Sequence, residues 1–430
     1  MMKKTLTTIF TLIIIFCACT EIQSQDSNNY VRIPLRLDQY LTKVAMGNLG
    51  LIAARFNVNI AEAGLRASKV FPDPELSFSY TNNEDRTLAM GQSYDAGLSY
   101  QIKTGNVRKA TIAVAGTEAE LSELILDSYF RNLRSDAAKS YYASVRETNI
   151  LNLQRETFEQ LRNLASADSI RLRTGEATEL DAIQTGLEAR LQYHNVLQSQ
   201  ADMENSLISL AVLQGKALKD TLLSPSSDFP SEIRNFELSA LIDSALTGRA
   251  ELLIALKNAE LSEKNLNLLR ADRAFEFSIE AGYSYNTIVK NDIAPAPAHN
   301  SVNAGIAFPL KFSSLNKGRI HSAEAALNQS RIYEQEAELQ VKSEVMAAYN
   351  SYMAARKKVE SFRLQLIENA EKILKGRIKA YQTGESGLIE LLNARRTYTE
   401  LRMSHIESLY EFTVALIELE RVSGIWDLTE

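Results

Sequence analysis

Four stretches of this chain alternate apolar and polar residues, and the apolar face they form has no evident cover in the rest of the sequence. Glu75–Thr81 sets Leu76, Phe78 and Tyr80 against Glu75, Ser77, Ser79 and Thr81, and Tyr94–Ile102 sets Tyr94, Ala96, Leu98, Tyr100 and Ile102 against Asp95, Gly97, Ser99 and Gln101. The pattern returns in Phe275–Asn286, with Phe275, Phe277, Ile279, Ala281, Tyr283 and Tyr285 on one side, and in Ser301–Leu310, with Val302, Ala304, Ile306, Phe308 and Leu310. A period of two means strands with unlike faces. A soluble sandwich would need a second sheet over the apolar side, and two hairpins separated by about 170 helix-patterned residues do not provide one.

Lipid would cover that face. Beyond residue 24 no run of 18 apolar residues occurs, so any passage through a membrane must be made by strands. Each strand is about the nine to eleven residues that a tilted membrane strand requires, and aromatic residues gather toward the ends. Four strands in hydrocarbon leave two edges whose backbone groups find no partner, so other subunits must complete the sheet. Three copies would give twelve strands around a water-filled lumen, although this argument fixes oligomerisation and not the number three.

The chain is also a tandem duplication. At an offset near 208, Ala96-Gly97-Leu98 matches Ala304-Gly305-Ile306, Thr174-Gly175-Glu176 matches Thr383-Gly384-Glu385, and Leu213-Gln214-Gly215 matches Val422-Ser423-Gly424. Each half reads as helix, β-hairpin, very long helix, tight turn and second long helix. The first repeat is expected over 25–223, with a helix near 34–70, a hairpin at 75–102 and a long helical hairpin at 106–213. A linker at 224–236 contains Pro225 and Pro230. The second repeat follows over 237–424, with a helix near 237–272, a hairpin at 275–312 and a helical hairpin at 317–423, leaving 425–430 as a tail. Ala348, Tyr352, Ala355, Val359, Phe362, Leu366 and Ile373 form a coiled-coil seam, and Leu180, Ile183, Leu187, His194, Leu197, Ala201, Ile208 and Ala211 form a similar one. A 65-residue helix would run roughly 100 Å, far beyond the needs of a globular core. On periodicity alone such helices suggest an intracellular scaffold, a reading opposed by the strands and the N-terminus.

Residues 1–24 read as a signal peptide, with Lys3 and Lys4 ahead of a short apolar stretch from Thr5 to Ala18. Cleavage between Ser24 and Gln25 is the favoured expectation, and Cys19 after Ala18 offers a lipoprotein alternative, opposed by Phe16 and Cys17 in the positions before it. Both cysteines fall in this segment, so the mature chain has no disulfide and no thiolate chemistry beyond a possible lipidated Cys19.

The formal charge is −6 with both signs interspersed, which argues against a nucleic-acid binder. His194, His299, His321 and His405 are widely separated, so no metal site is expected, and no cofactor motif appears. Nucleophile motifs and phosphate loops are absent as well, and no enzyme is predicted. Trp426 reads as a packing anchor.

The stretch YQTGESGLIELLNARRTYTELRMSHIESLYEFTVALIELERVSG, from Tyr381 to Gly424, resembles the C-terminal repeat signature of the TolC-type outer-membrane efflux proteins, and RTGEATELDAIQTGLEARLQYHNVL echoes it in the first half. The resemblance covers nearly the whole mature chain. It implies a mainly α protein with a transmembrane β-barrel contribution: a homotrimer whose twelve-stranded barrel sits on a periplasmic α-helical coiled-coil tunnel. The expected role is the passive outer-membrane duct of a tripartite efflux system, with a periplasmic adaptor and an inner-membrane pump of the resistance-nodulation-division type as partners. The signature looks most like the cobalt-zinc-cadmium and copper-silver branch, which implies metal cations or small toxic compounds as substrate. Gly175 and Gly384 stand where long helices reverse, and Ala177/Thr178 and Ser386 are placed to start the next helices. By resemblance, Thr174, Gly175, Glu176, Thr383, Gly384 and Glu385 are the adaptor-docking turns. Asp181, Glu390 and Tyr381 fall on pore-constriction positions, with Asn393 where a further carboxylate occurs in relatives and Ser386 where an arginine can lock the closed state. The last two departures argue against a gate built on that salt bridge.

Two other readings compete. A periplasmic adaptor also combines a helical hairpin with β-structure, but it would carry one hairpin and soluble β-domains. The outer-membrane duct of a type I protein secretion system would share this architecture and differ in its pump.

Overall fold

The computed structural model describes residues 31–83, 89–216, 221–230, 232–310, 314–362 and 365–425. The expected signal peptide, Cys19 and Trp426 lie outside them. In chain order the elements are β1 (Val31–Leu35), α1 (Leu37–Gly47), α2 (Leu49–Ser68), β2 (Glu75–Asn82), β3 (Gln92–Lys103), α3 (Val107–Thr174), α4 (Glu179–Leu213), β4 (Thr221–Pro225), α5 (Leu238–Gly248), α6 (Ala250–Ala271), β5 (Glu276–Asn286), β6 (His299–Ala307), α7 (Leu315–Phe362), α8 (Leu366–Gln382) and α9 (Leu388–Ser423). Helix α3, with 68 residues, is about 100 Å long at 1.5 Å per residue.

The four alternating stretches form one antiparallel sheet in the order β2-β3-β5-β6. Its register carries polar side chains along one face in rows such as Ser79–Asp95–Ser284–Ser301 and Glu75–Ser99–Glu280–Gly305. The other face is apolar and open, with Phe78 76% and Val302 81% exposed. Rings mark both ends of it. Tyr94 lies 5.1 Å from Tyr80 and 6.4 Å from Tyr285, while Phe275, Phe277 and Phe308 cluster at 5.0–6.3 Å. An apolar band between two aromatic girdles is the lipid-facing pattern of a membrane strand. Strands β2 and β6 each have one neighbour among the described residues, so both edges of the sheet are unpaired.

Several expectations need correction. The predicted helix near 34–70 is a strand followed by two helices. Asn48 breaks them with extended ψ of 120°, its side chain accepting from the Leu51 amide and donating to the Leu213 carbonyl. The apolar period runs through the break, which hides it. The helix near 237–272 breaks likewise at Arg249, ψ 124°. Strand β1 pairs in parallel with β4, Leu35 opposite Pro225, so the expected linker at 224–236 begins inside a strand. Buried Tyr141 of α3 fastens this small sheet, donating to the Leu35 carbonyl and accepting from the amides of Ser226 and Ser227. The rest of the linker is a strap, with Phe229 stacked on Tyr142 and Phe236 edge-on to Tyr352. Gly47 and Gly215 let backbones cross here, since a Cβ on Gly215 would stand 2.1 Å from the Gly47 carbonyl oxygen.

The seams differ too. The second-repeat seam is buried through Val359 and then fails, with Leu366 and Ile373 exposed. The helix stops at Phe362, Gln365 adopts φ of +60°, and the buried positions resume as Ala370, Leu374 and Tyr381. Such a break resets the phase of a heptad. On α4 the side packed against α3 is Thr185, Ala189, Gln192, Val196, Ser199, Met203, Leu207 and Leu210. The expected stripe lies largely on the opposite side, where Leu180, Ile183, Leu187 and Leu197 are 49–77% exposed. Over Leu180 to Leu197 helix α4 therefore carries two faces, and the apolar stripe there has no partner within the described residues of this chain, whereas Ile208 and Ala211 at the far end of the expected seam are packed inward as expected.

Candidate functional site at the helical tips

The two long helical hairpins reverse by the same device. Gly175 has φ of +77° and Gly384 +79°, left-handed values that other residues rarely adopt. The Glu176 amide donates to the Arg171 carbonyl at 2.8 Å, and the Glu385 amide to that of Ala380 at 2.8 Å, closing each helix with a Schellman motif. Thr174 and Thr383 back-bond to carbonyls of their own last turns at 3.0 and 3.2 Å. Thr174, Glu176, Thr383 and Glu385 are exposed, leaving both turns accessible.

Beyond the turns the tips diverge. Thr178 caps α4, accepting from the Asp181 amide and donating to the Asp181 carboxylate at 2.6 Å. In the second tip the N-cap is Gly387, not Ser386. The Ser386 hydroxyl instead donates to Glu390 at 2.6 Å, and Arg377 pairs with the same carboxylate oxygen at 2.5 Å. Asn393 is exposed one turn further along α9. No hydrogen bond or ion pair joins Asp181 to Glu390 among the described residues.

Tyr381 is buried and reaches across to the first hairpin. Its hydroxyl donates to Asp168 Oδ1 at 2.9 Å, while Arg171 stacks on its ring at 5.0 Å and approaches Asp168 at 3.5 Å. Burial, reinforced by the Asp168 carboxylate, pushes the Tyr381 phenol up to about 12. Asp168 is fully buried and its Oδ2 has no hydrogen-bond partner. Nearby, Arg395 is 7% exposed and donates to Gln160 at 2.9 Å; burial holds its guanidinium below the ordinary arginine value. These groups line a 560 Å³ cleft between α3 and the α8–α9 hairpin.

Asp168, Arg171, Arg377 and Arg395 were not candidates on sequence grounds. One signal existed: at the offset of the TGE turns, Asp168 aligns with Arg377, so equivalent positions of the duplicated tip carry opposite charges.

Residues 241–425 match the outer membrane efflux protein family. That match falls on the second repeat of the chain. The cobalt-zinc-cadmium resistance protein CzcC of Cupriavidus metallidurans is 21% identical over 397 residues, covering 91% of this chain and 90% of the relative. The fold matches CusC, with a TM-score of 0.74 at 17% identity over 94% of this chain and 96% of the other, and the CmeC outer membrane channel of Campylobacter jejuni, with 0.75 at 14% over 92% and 87%. The family match and the fold likenesses are to outer membrane efflux proteins and channels. Among the described residues no helix is long and apolar enough to cross a membrane, and no three potential metal-ligating side chains converge.

Proposed function

We propose that three copies of this efflux protein close a twelve-stranded barrel through their β2 and β6 edges and form a passive export duct, with the long helices as a tunnel on the periplasmic side. The observation that carries this reading is the four-stranded sheet itself, apolar outside, polar inside and unpaired at both edges. The exposed seam Leu180, Ile183, Leu187 and Leu197 supplies a matching contact between helical hairpins. The turns at Thr174, Gly175 and Glu176 and at Thr383, Gly384 and Glu385 are exposed at the far end of the hairpins, where a periplasmic adaptor serving an inner-membrane pump of the resistance-nodulation-division type would dock. Metal cations are the favoured cargo, supported by the likeness to CzcC.

In the trimer, Asp181 and Glu390 of each copy, with Asn393 beyond them, ring the narrow end and favour cations, and Tyr381 on Asp168 holds the second hairpin against the first. The test is single-channel recording in planar bilayers: Asp181→Ala with Glu390→Ala should raise conductance and reduce cation preference. Unchanged conductance and selectivity would remove both residues from the constriction.

A further inference from the structure

Where the sheet meets the helices, the chain collects positive charge that the fold does not use. The junctions lie at one level. Arg108 of α3 donates to the Lys69 carbonyl at the end of α2, the Thr104 amide donates to the Phe275 carbonyl at 3.2 Å, and a Cβ on Gly105 would meet that of Ala274 at 2.0 Å. Helix α7 begins beside the end of α6, where Arg319 stands 3.8 Å from Asp272. Arg270 and Arg319 have carboxylate partners, whereas Lys69, Arg108, Lys109, Arg273 and Lys317 are exposed and show no ion pair among the described residues.

Their placement runs against local electrostatics. Arg108 and Lys109 occupy the first turn of α3 and Lys317 that of α7, at the positive end of each helix dipole, and neither turn holds a carboxylate. The connection from α2 to β2 offers Asp73 alone. At the opposite end of the sheet there is no such excess, since the connections there carry Glu84, Asp85 and Asp292 against Arg86 and Lys290.

These cations border the apolar face. Phe275, Phe277 and Phe308 close that face at this end, and Val70, Phe71 and Leu310, each 62–72% exposed, extend it. The Arg108 guanidinium lies 3.9 Å from the centre of the Phe71 ring, which sets a charge directly on the apolar boundary. In a membrane that boundary is the headgroup level.

We infer that Lys69, Arg108, Lys109, Arg273 and Lys317 form a basic collar that binds the phosphate headgroups of anionic phospholipids in the leaflet bordering the long helices. The inference goes beyond the duct reading but rests on it, because that reading places the sheet in lipid. Phosphates would neutralise the cations at the starts of α3 and α7, so the leaflet would complete the helix-to-strand junctions and fix how deeply the barrel sits.

The test is native mass spectrometry of the mature trimer in detergent, supplied with equal amounts of phosphatidylglycerol and phosphatidylcholine of the same acyl chains. The wild type should retain phosphatidylglycerol about tenfold more than phosphatidylcholine, and Lys69→Gln with Lys109→Gln and Arg273→Gln should abolish that preference. The charge-keeping set Lys69→Arg, Lys109→Arg and Arg273→Lys should preserve it. Equal retention by the wild type, or a preference unmoved in the glutamine variant, overturns the inference. So does loss of the trimer in the glutamine variant alone, which would give these residues to a contact between copies. Membrane fractionation separates the two levels: a membrane-bound trimer without the preference sinks the collar alone, and recovery of the protein in the soluble fraction sinks the barrel as well.

Discussion

The two helical hairpins descend from one plan and end in the same turn, yet they differ in three places. The first has an unbroken α3, a tip in which Asp181 is tied to its own cap, and a groove between α3 and α4 lined by Arg162, Arg173 and Arg190. The second is interrupted between Phe362 and Leu366, ties Glu390 to Arg377 and Ser386, and sends Tyr381 across to the first hairpin. What the repeats share is scaffold, the sheet and the Schellman turns. What they do not share gathers toward the tips, where a duct would be gated and recognised.

The hairpins are held together well above the tips, and the largest expected effect lies there. Burial opposes ionisation of Glu418 on α9, but hydrogen bonds from Arg421 and from Lys139 of α3 outweigh it and hold the carboxyl down at about 2. A group depressed in the folded state contributes stability above its unfolded value and loses it as pH falls. The contribution of this carboxyl should therefore be level above about pH 5 and fall away toward pH 2 by at most about 3 kcal/mol per copy, less as solvent screens the half-buried pair, and Glu418→Gln should remove that part of the acid limb in pH-dependent denaturant melts. An unchanged acid limb would show that this pair does not join the hairpins.

Tyr381→Phe comes next. It removes the donor from a fully buried carboxylate, at a cost of about 1–3 kcal/mol, and should raise channel open time. The aligned residue of the first hairpin, Leu172, offers a contrast: Leu172→Ala should leave gating unchanged, and equal effects at both would erase the asymmetry. Gly175→Ala and Gly384→Ala should each cost about 1 kcal/mol, because both glycines are left-handed and both would place a Cβ in open space. Unequal melting shifts would mean the turns are not equivalent. Arg377→Ala should have the smallest effect, below about 1 kcal/mol, since its pair with Glu390 is half exposed and screened by salt.

Much of the molecule was legible in sequence because its periods are long and its punctuation is strong. Alternation at Glu75–Thr81 and its three counterparts fixed the strands and their faces, and Gly175 and Gly384 fixed the reversals. What was missed had local causes. Asn48 and Arg249 break helices without breaking the apolar period. The parallel pair β1 and β4 joins residues about 190 apart, which no local pattern announces. On α4 the apolar period points to the stripe Leu180, Ile183, Leu187 and Leu197, whereas the chain packs the mixed face of Thr185, Ala189, Gln192 and Val196 inward and leaves that stripe outside. At the tip, resemblance singles out Tyr381 and the two carboxylates as candidates, while Asp168 and Arg395 depend on helices meeting in space. An opposite-charge comparison of the repeats would have found Asp168.

All of these contrasts presuppose that one chain is a third of a channel. The direct measurement is native mass spectrometry of the mature protein extracted from the outer membrane in mild detergent. The account predicts a trimer as the smallest abundant species. A stable monomer or dimer would leave the edges of β2 and β6 without the neighbours they require, and would contradict it.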